Sequence, residues 1–95
     1  MVLPRPLRPA FTGQFKRDRK RAINRHQDVD HLDRVIRRLA AGEALEARYR
    51  VHPLRGNYVG HWECHIEPDF LLVWYYAVAV DGTDIVFVRT GSHAD

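Results

Sequence analysis

Cysteine is almost missing from this 95-residue sequence: Cys64 stands alone, so an internal disulfide is impossible and a stapled secreted scaffold is excluded. Long hydrophobic runs are missing too. The longest, Phe70 to Val80, has eleven residues, against the ~20 that a membrane helix needs. Pro4 and Pro6 interrupt the N-terminus where a signal peptide requires an unbroken apolar stretch. Repeats, linkers and low-complexity tracts are absent, and the length falls below the ~100–150 residues of a typical domain. The expectation is one domain over residues 1–95, cytoplasmic and away from membranes. A chain of this size buries only about 60–65% of its unfolded surface, so its stability margin is thin.

Basic residues are scarce in the second half. Residues 1–50 carry thirteen Lys and Arg against six Asp and Glu, whereas residues 51–95 carry two against six. Four of the six histidines, His52, His61, His65 and His93, lie in that second half. A basic half points to a polyanionic partner. A histidine-rich half points to proton chemistry or metal binding.

Leu7 to Phe11 reads as a short, Pro-flanked edge strand. Thr12 can cap a helix over about Gly13 to Arg25, with apolar contacts at Phe15, Ala22 and Ile23. Its Lys16, Arg17, Arg19, Lys20 and Arg21 form either a solvated face or a footprint for RNA phosphates. Asp28 caps a second helix whose Val29, Leu32, Ile36 and Leu39 make one apolar stripe, with Gly42 as its stop. Asp30–Arg34 and Asp33–Arg37 are candidate i,i+4 pairs along it. From Arg48 the period changes to two. Arg48 to Val51 reads as a strand entering a glycine-containing loop, and His61 to Ile66 alternates, with Trp62, Cys64 and Ile66 on one face and His61, Glu63 and His65 on the other. Phe70 to Val80, apolar on both faces, reads as a covered central strand. Asp81-Gly82 then turns the chain into a last strand over Asp84 to Thr90. The fold class is α+β, two N-terminal helices packed on one face of a small antiparallel sheet.

His61, Glu63 and His65 would stand on the open face of that sheet, with His52, Asp69 and His93 within topological reach. Metal-independent RNA cleavage needs a base for the ribose 2′-hydroxyl, an acid for the leaving 5′-oxygen and a cation for the phosphorane. Histidine serves either proton transfer near neutral pH, and Arg89, Arg55 or an imidazolium could supply the charge. The same atoms admit a second use: His61-x-Glu63-x-His65 could bind zinc with help from His52 or His93.

Three motifs bear a resemblance. His52-Pro-Leu-x-Gly-x-Tyr-x-Gly60, Glu63-x-His65-Ile-Glu-Pro-Asp69-Phe-Leu-Leu and Arg89-Thr-Gly-Ser-His93 are similar, in order and spacing, to those of the YafQ branch of the RelE-type bacterial toxins. The resemblance implies a microbial-RNase-like fold and ribosome-dependent, cofactor-free cleavage of mRNA, leaving a 2′,3′-cyclic phosphate or 3′-phosphate and a 5′-hydroxyl. It implies an antitoxin that wraps the toxin, and it leaves room for a higher-order toxin–antitoxin assembly. Position by position, His52, His65, Asp69 and His93 match the family's catalytic residues, and Arg89 matches its phosphate-binding arginine. Glu63 stands where the family often has aspartate, and Phe70 where it often has tryptophan, so both are assigned supporting roles. His93 is expected as the acid and Asp69, with His52, as the base, or the reverse. His65 and Arg89 would hold the phosphate. The basic helices would meet ribosomal RNA, and an acidic antitoxin segment is expected against the same half. Relatives usually continue with a short aromatic end beyond the position of Asp95, a part of the site expected to be lacking here. Two alternatives from other classes remain: a ParE-like toxin acting on gyrase, and a small metal-binding protein using His61 and His65.

Overall fold

In the computed structural model, residue 3 and residues 6–93 are described. Residues 1–2, 4–5 and 94–95 lie outside the description, and with them the chain end at Asp95. The elements are β1 (Leu7–Phe11), α1 (Gly13–Asn24), α2 (Val29–Ala40), a 3-10 turn at Ala47–Tyr49, β2 (His52–Pro53), a second 3-10 turn at Gly56–Tyr58, β3 (His61–Glu67), β4 (Phe70–Ala79) and β5 (Gly82–Gly91). The five strands form one sheet in the order β1-β5-β4-β3-β2.

Each helix begins where a side chain can satisfy its free amides. The Thr12 hydroxyl oxygen accepts from the Phe15 N–H, and the Asp28 carboxylate from the His31 N–H. The α2 stripe gains Val35, and Leu32, Val35, Ile36 and Leu39 are buried against the sheet. Alternation along β3 is as expected: Cys64 and Ile66 are buried, Trp62 packs against the core, and His61, Glu63 and His65 are only partly covered. Burial pushes the Cys64 thiol up to about 12, so it remains a protonated apolar filler.

Four expectations are corrected. The sheet is not wholly antiparallel, because β1 runs parallel to β5, with Leu7 opposite Thr83 and Phe11 opposite Phe87. Gly82 makes room for that approach: a Cβ there would lie 2.8 Å from the Pro6 carbonyl oxygen. Arg48 to Val51 is not a strand. The chain makes a 3-10 turn and Arg50 adopts a left-handed conformation (φ 50°), which buries the Tyr49 ring beneath α2. β4 is central, but both of its faces are covered only from Phe70 to Trp74, and Val78 and Val80 are exposed. On α1, Ile23 faces solvent while Asp18 is buried.

Candidate active site

The bare face of the sheet takes its side chains from register. Glu63 of β3 lies opposite Val73 of β4, which lies opposite Arg89 of β5; one step along, His65, Leu71 and Gly91 are aligned in the same way. Leu71 and Val73 form an apolar floor beneath these polar groups, in a cleft of about 250 Å³ that Tyr58, Glu63, Arg89 and His93 also line.

Arg89 reaches this face through an irregularity. Ile85 and Phe87 point into the core, and strict alternation would send Arg89 after them. The β4–β5 register instead shifts, so that Trp74 opposes Phe87 but Val73 opposes Arg89, leaving Val88 as an extra residue. Such a bulge reverses the parity of everything beyond it. Thr12 braces it: the Thr12 hydroxyl donates to the Val88 carbonyl at 2.9 Å, and the Thr12 N–H donates to the Phe87 carbonyl at 3.1 Å. A second shift, at Ile66 between β3 and β4, turns Glu67 toward the helices, where one carboxylate oxygen lies 4.0 Å from His31 Nδ1.

Three imidazoles form a row. The His52 and His65 ring centres lie 6.0 Å apart, and so do those of His65 and His93. His93 meets Asp69 twice, its backbone N–H donating to Oδ1 at 3.2 Å while its Nδ1 lies 3.1 Å from the same oxygen. His65 Nδ1 lies 3.3 Å from the Pro68 carbonyl. His52 Nδ1 lies 2.6 Å from the Arg50 carbonyl, and its Nε2 lies 3.2 Å from a Glu63 carboxylate oxygen. In all three rings the Nδ1 side is turned to a protein acceptor. For His65 and His93 this leaves Nε2 to exchange a proton or bind a ligand.

His52, Glu63, His65, Asp69, Arg89 and His93 are therefore brought together. His61 is not. Its ring packs between Tyr58 and Tyr75, 5.4 and 5.1 Å away, and its Nδ1 faces the Tyr58 carbonyl at 3.2 Å. Among the described residues two trios have ligand atoms within 4.8 Å of one another, His52, Glu63 and His65 in this row and Asp28, His31 and Glu67 by the helices, and the first replaces the expected His61-based metal trio. Phe70 is also corrected: it is 1% exposed, in the core beneath the helices, and offers no aromatic surface to the site. Arg55 sits in the exposed loop before the second 3-10 turn and is not among the cleft-lining residues. Tyr58 was given no role from sequence, yet it lines the cleft and accepts from the Arg89 guanidinium at 3.4 Å. Its signals are the fixed tyrosine of the motif His52-Pro-Leu-x-Gly-x-Tyr-x-Gly60 and its place between Gly56 and Gly60 in a loop beside the histidines.

The basic run on α1 is only partly available. Arg19 spans to Asp33 of α2 with contacts of 2.6 and 3.1 Å, displacing the expected Asp33–Arg37 pair. Arg21 lies 3.5 Å from the buried Asp18 carboxylate. Lys16, Arg17 and Lys20 are exposed.

The fold and this row define a bacterial toxin of a type II toxin–antitoxin system, for residues 7–95 match the family described as the YafQ toxin of such systems. The chain belongs to the YafQ family. It is 34% identical over 85 residues, 88% of each chain, to the mRNA interferase toxin YafQ of Escherichia coli K12, so the enzyme class expected from sequence is that of this relative. The crystal structure of YafQ from E. coli BL21(DE3) superposes with a TM-score of 0.83 at 32% identity, covering 94% of this chain and 96% of that one. A metal-bound toxin from Helicobacter pylori gives 0.80 at 31%, covering 94% and 97%. The toxin-like chain of the E. coli DinJ–YafQ complex gives 0.78 at 33%, covering 94% and 96%. Among the described residues, no helix is long and apolar enough to cross a membrane.

Proposed function

We propose that this chain is a ribosome-dependent, metal-independent endoribonuclease that cuts mRNA by attack of a ribose 2′-oxygen on the adjacent phosphorus. The observation that supports it best is the imidazole row, with spacings of 6.0 Å and the His93–Asp69 contact at one end. His65 Nε2, its Nδ1 turned to the Pro68 carbonyl, takes the 2′-hydroxyl proton. The 2′-oxygen bonds to phosphorus, the bond from phosphorus to the 5′-oxygen breaks, and that oxygen takes a proton from His93 Nε2. Asp69 is better suited to orienting His93 than to serving as the base, because its Oδ1 already faces both the Nδ1 and the backbone N–H of that residue. His52 lies between two acceptors, the Arg50 carbonyl and Glu63, and its imidazolium form donates to both. Together with Arg89 it offsets the charge that builds on the phosphorane. The products are a 2′,3′-cyclic phosphate and a 5′-hydroxyl.

The partner is an antitoxin with an acidic segment, as the E. coli toxin–DinJ complex suggests by family. A hollow of about 420 Å³ beside the helices, floored by Phe11, Phe15 and Ile36 and rimmed by Lys16, Arg37 and the Arg19–Asp33 pair, fits such a segment with an apolar anchor. Ribosomes place the activity in the cytoplasm.

A second reading rests on the His52, Glu63 and His65 trio, whose ligand atoms lie within 4.8 Å of one another, and on the metal-bound state of the H. pylori neighbour. Mapping mRNA ends after incubation with translating ribosomes separates the readings. Cuts are expected with a zinc-selective chelator present, at the magnesium concentration that ribosomes need, and are lost in His93→Ala and Asp69→Ala. Cuts that need added zinc would favour the metal reading; gyrase inhibition without cuts would favour a ParE-like activity. Co-expression with an antitoxin should yield a complex and restore growth.

A further inference from the structure

A second hollow, of about 340 Å³, opens at the end of β3 and shares no lining residue with the cleft that holds Arg89 and His93. It borders the imidazole row at His65, and its other walls come from α2, the first 3-10 turn and Arg50. Of these other walls only the Arg50 backbone carbonyl, which faces His52, is used in the chemistry above, and no side chain among them is. The Arg48 guanidinium lies 4.9 Å above the Tyr49 ring and donates to the Tyr49 hydroxyl at 3.2 Å. That hydroxyl, 2.8 Å from His31 Nε2, is anchored in turn, and the Tyr49 ring is 3% exposed. One face of the Arg48 plane is thus held by the protein while the residue itself is exposed to solvent. Arg50 is exposed beside it, and its carbonyl holds His52. Glu67 is the one acid in the wall, and it faces His31.

We propose that this hollow is the subsite for the nucleotide on the 5′ side of the scissile phosphate, with its base stacked on the free face of Arg48 and its own 5′-phosphate held by Arg50. The inference rests on the RNA-cleaving reading. With His93 protonating the leaving 5′-oxygen, the 3′ segment lies over the Arg89–His93 cleft. The ribose that supplies the 2′-hydroxyl lies at His65, and the chain before it runs into the hollow that His65 borders. An arginine plane is a common platform for unstacked RNA bases, and a second arginine suits the neighbouring phosphate.

The test uses two short oligoadenylates, one ending in a 3′-phosphate and one beginning with a 5′-hydroxyl, bound to the full chain and to Arg48→Gln, Arg50→Gln and Arg48→Lys. Each glutamine variant should weaken the 3′-phosphate oligomer by roughly tenfold and the 5′-hydroxyl oligomer by less than about twofold. Arg50→Gln should lower the slope of log affinity against log salt by about 0.7, the value for one phosphate contact on a single strand. Arg48→Lys should keep the slope and still lose affinity. In cleavage on ribosomes, both glutamine variants should raise KM at unchanged kcat and relax the preference only at the base 5′ of the cut. Equal losses on both oligomers, no loss on either, or no binding of the 3′-phosphate oligomer by the unmodified chain would each overturn the subsite. An unmodified chain that binds the two asymmetrically but cuts no mRNA would overturn the nuclease, and the hollow would then be only a binding site for a 3′-phosphorylated RNA end.

Discussion

Asp18→Ala should be among the most damaging single changes outside the imidazole row. Asp18 lies within a run of basic residues, yet it is 4% exposed and joins α1 to β5. One carboxylate oxygen accepts from the Thr90 backbone N–H at 3.2 Å, and the other accepts from the Gln14 amide at 2.6 Å and lies 3.5 Å from the Arg21 guanidinium. Truncation leaves the buried Thr90 N–H without its acceptor, at a cost of about 1–3 kcal/mol, and removes a further hydrogen bond worth about 1 kcal/mol. Relief of a desolvated carboxylate offsets part of this, so the net loss is about 1–3 kcal/mol, against the ~5–14 kcal/mol total of a domain this size. At 4–8 °C per kcal/mol, the thermal midpoint should fall by roughly 5–25 °C. Thermal and urea unfolding followed by circular dichroism measure it. Asp18→Asn keeps one acceptor and should lose about half as much. A change below about 0.5 kcal/mol in Asp18→Ala, the range of an ordinary surface position, would refute the assignment of Asp18 as the joint between helix and sheet.

Thr12→Val removes both the cap of α1 and the bond to the Val88 carbonyl at the bulge. It should cost about 1–2 kcal/mol in unfolding, and it should lower cleavage more than Ile23→Ala does at matched stability, because the bulge aims Arg89. Cys64 should resist iodoacetamide at pH 8 in the folded protein and react only on unfolding; labelling at native rates would contradict its raised thiol. Hydrogen bonding from Arg38 holds the Glu46 carboxyl at about 2, below its ordinary 4.5. A depressed acid contributes stability that is present above the ordinary value and lost as pH falls toward the folded one, so the clasp formed by Arg38, Glu43 and Glu46 should loosen between about pH 4.5 and 2. Glu46→Gln should flatten the pH dependence of stability in that window.

The legibility of this chain follows the range of the forces involved. α2 could be read because its apolar residues recur at helical spacing behind an aspartate cap, and β3 because its polar and apolar residues alternate. The imidazole row is legible only in part: β3 carries His65 with Glu63 on the same face, while His52 arrives from β2 and His93 from just beyond β5, and only the order of the strands brings them together. The residues alone offer Arg89 as one candidate cation beside Arg55 and an imidazolium, and only the resemblance singles it out, since nothing local marks Val88 as a bulged residue and period two would have buried the arginine. Arg48 to Val51 alternates like a strand, but Tyr49 gains burial and a bond to His31, and that tertiary contact selects a left-handed Arg50 over an extended one. Phe70 was read as a surface aromatic through likeness to a tryptophan, whereas its place opposite Glu67 after the second register shift puts it in the core. Asp18 was hidden by the charges on either side of it.

Charge counted from sequence overstates what α1 can offer to RNA. Of Lys16, Arg17, Arg19, Lys20 and Arg21, two face carboxylates of the fold: Arg19 holds Asp33 across the helix pair, and Arg21 lies beside Asp18. Pairing raises the Arg19 guanidinium above its ordinary value through the Asp33 hydrogen bonds and keeps that charge engaged. If α1 meets ribosomal RNA, the cations that release counterions are then Lys16, Arg17 and Lys20. At about 0.7–0.9 per phosphate contact, joint replacement of all five by glutamine should lower the salt slope of ribosome binding by about 2–3, not by the ~4 that five free cations would give. Arg19→Gln should barely change that slope, and should instead cost up to about 1 kcal/mol of stability, as for a half-exposed ion pair. Binding titrations on ribosomes at several salt concentrations measure both. A slope that falls with Arg19→Gln as much as with Lys16→Gln would mean that the Asp33 contact opens when RNA arrives, and that α1 works as a five-cation surface after all.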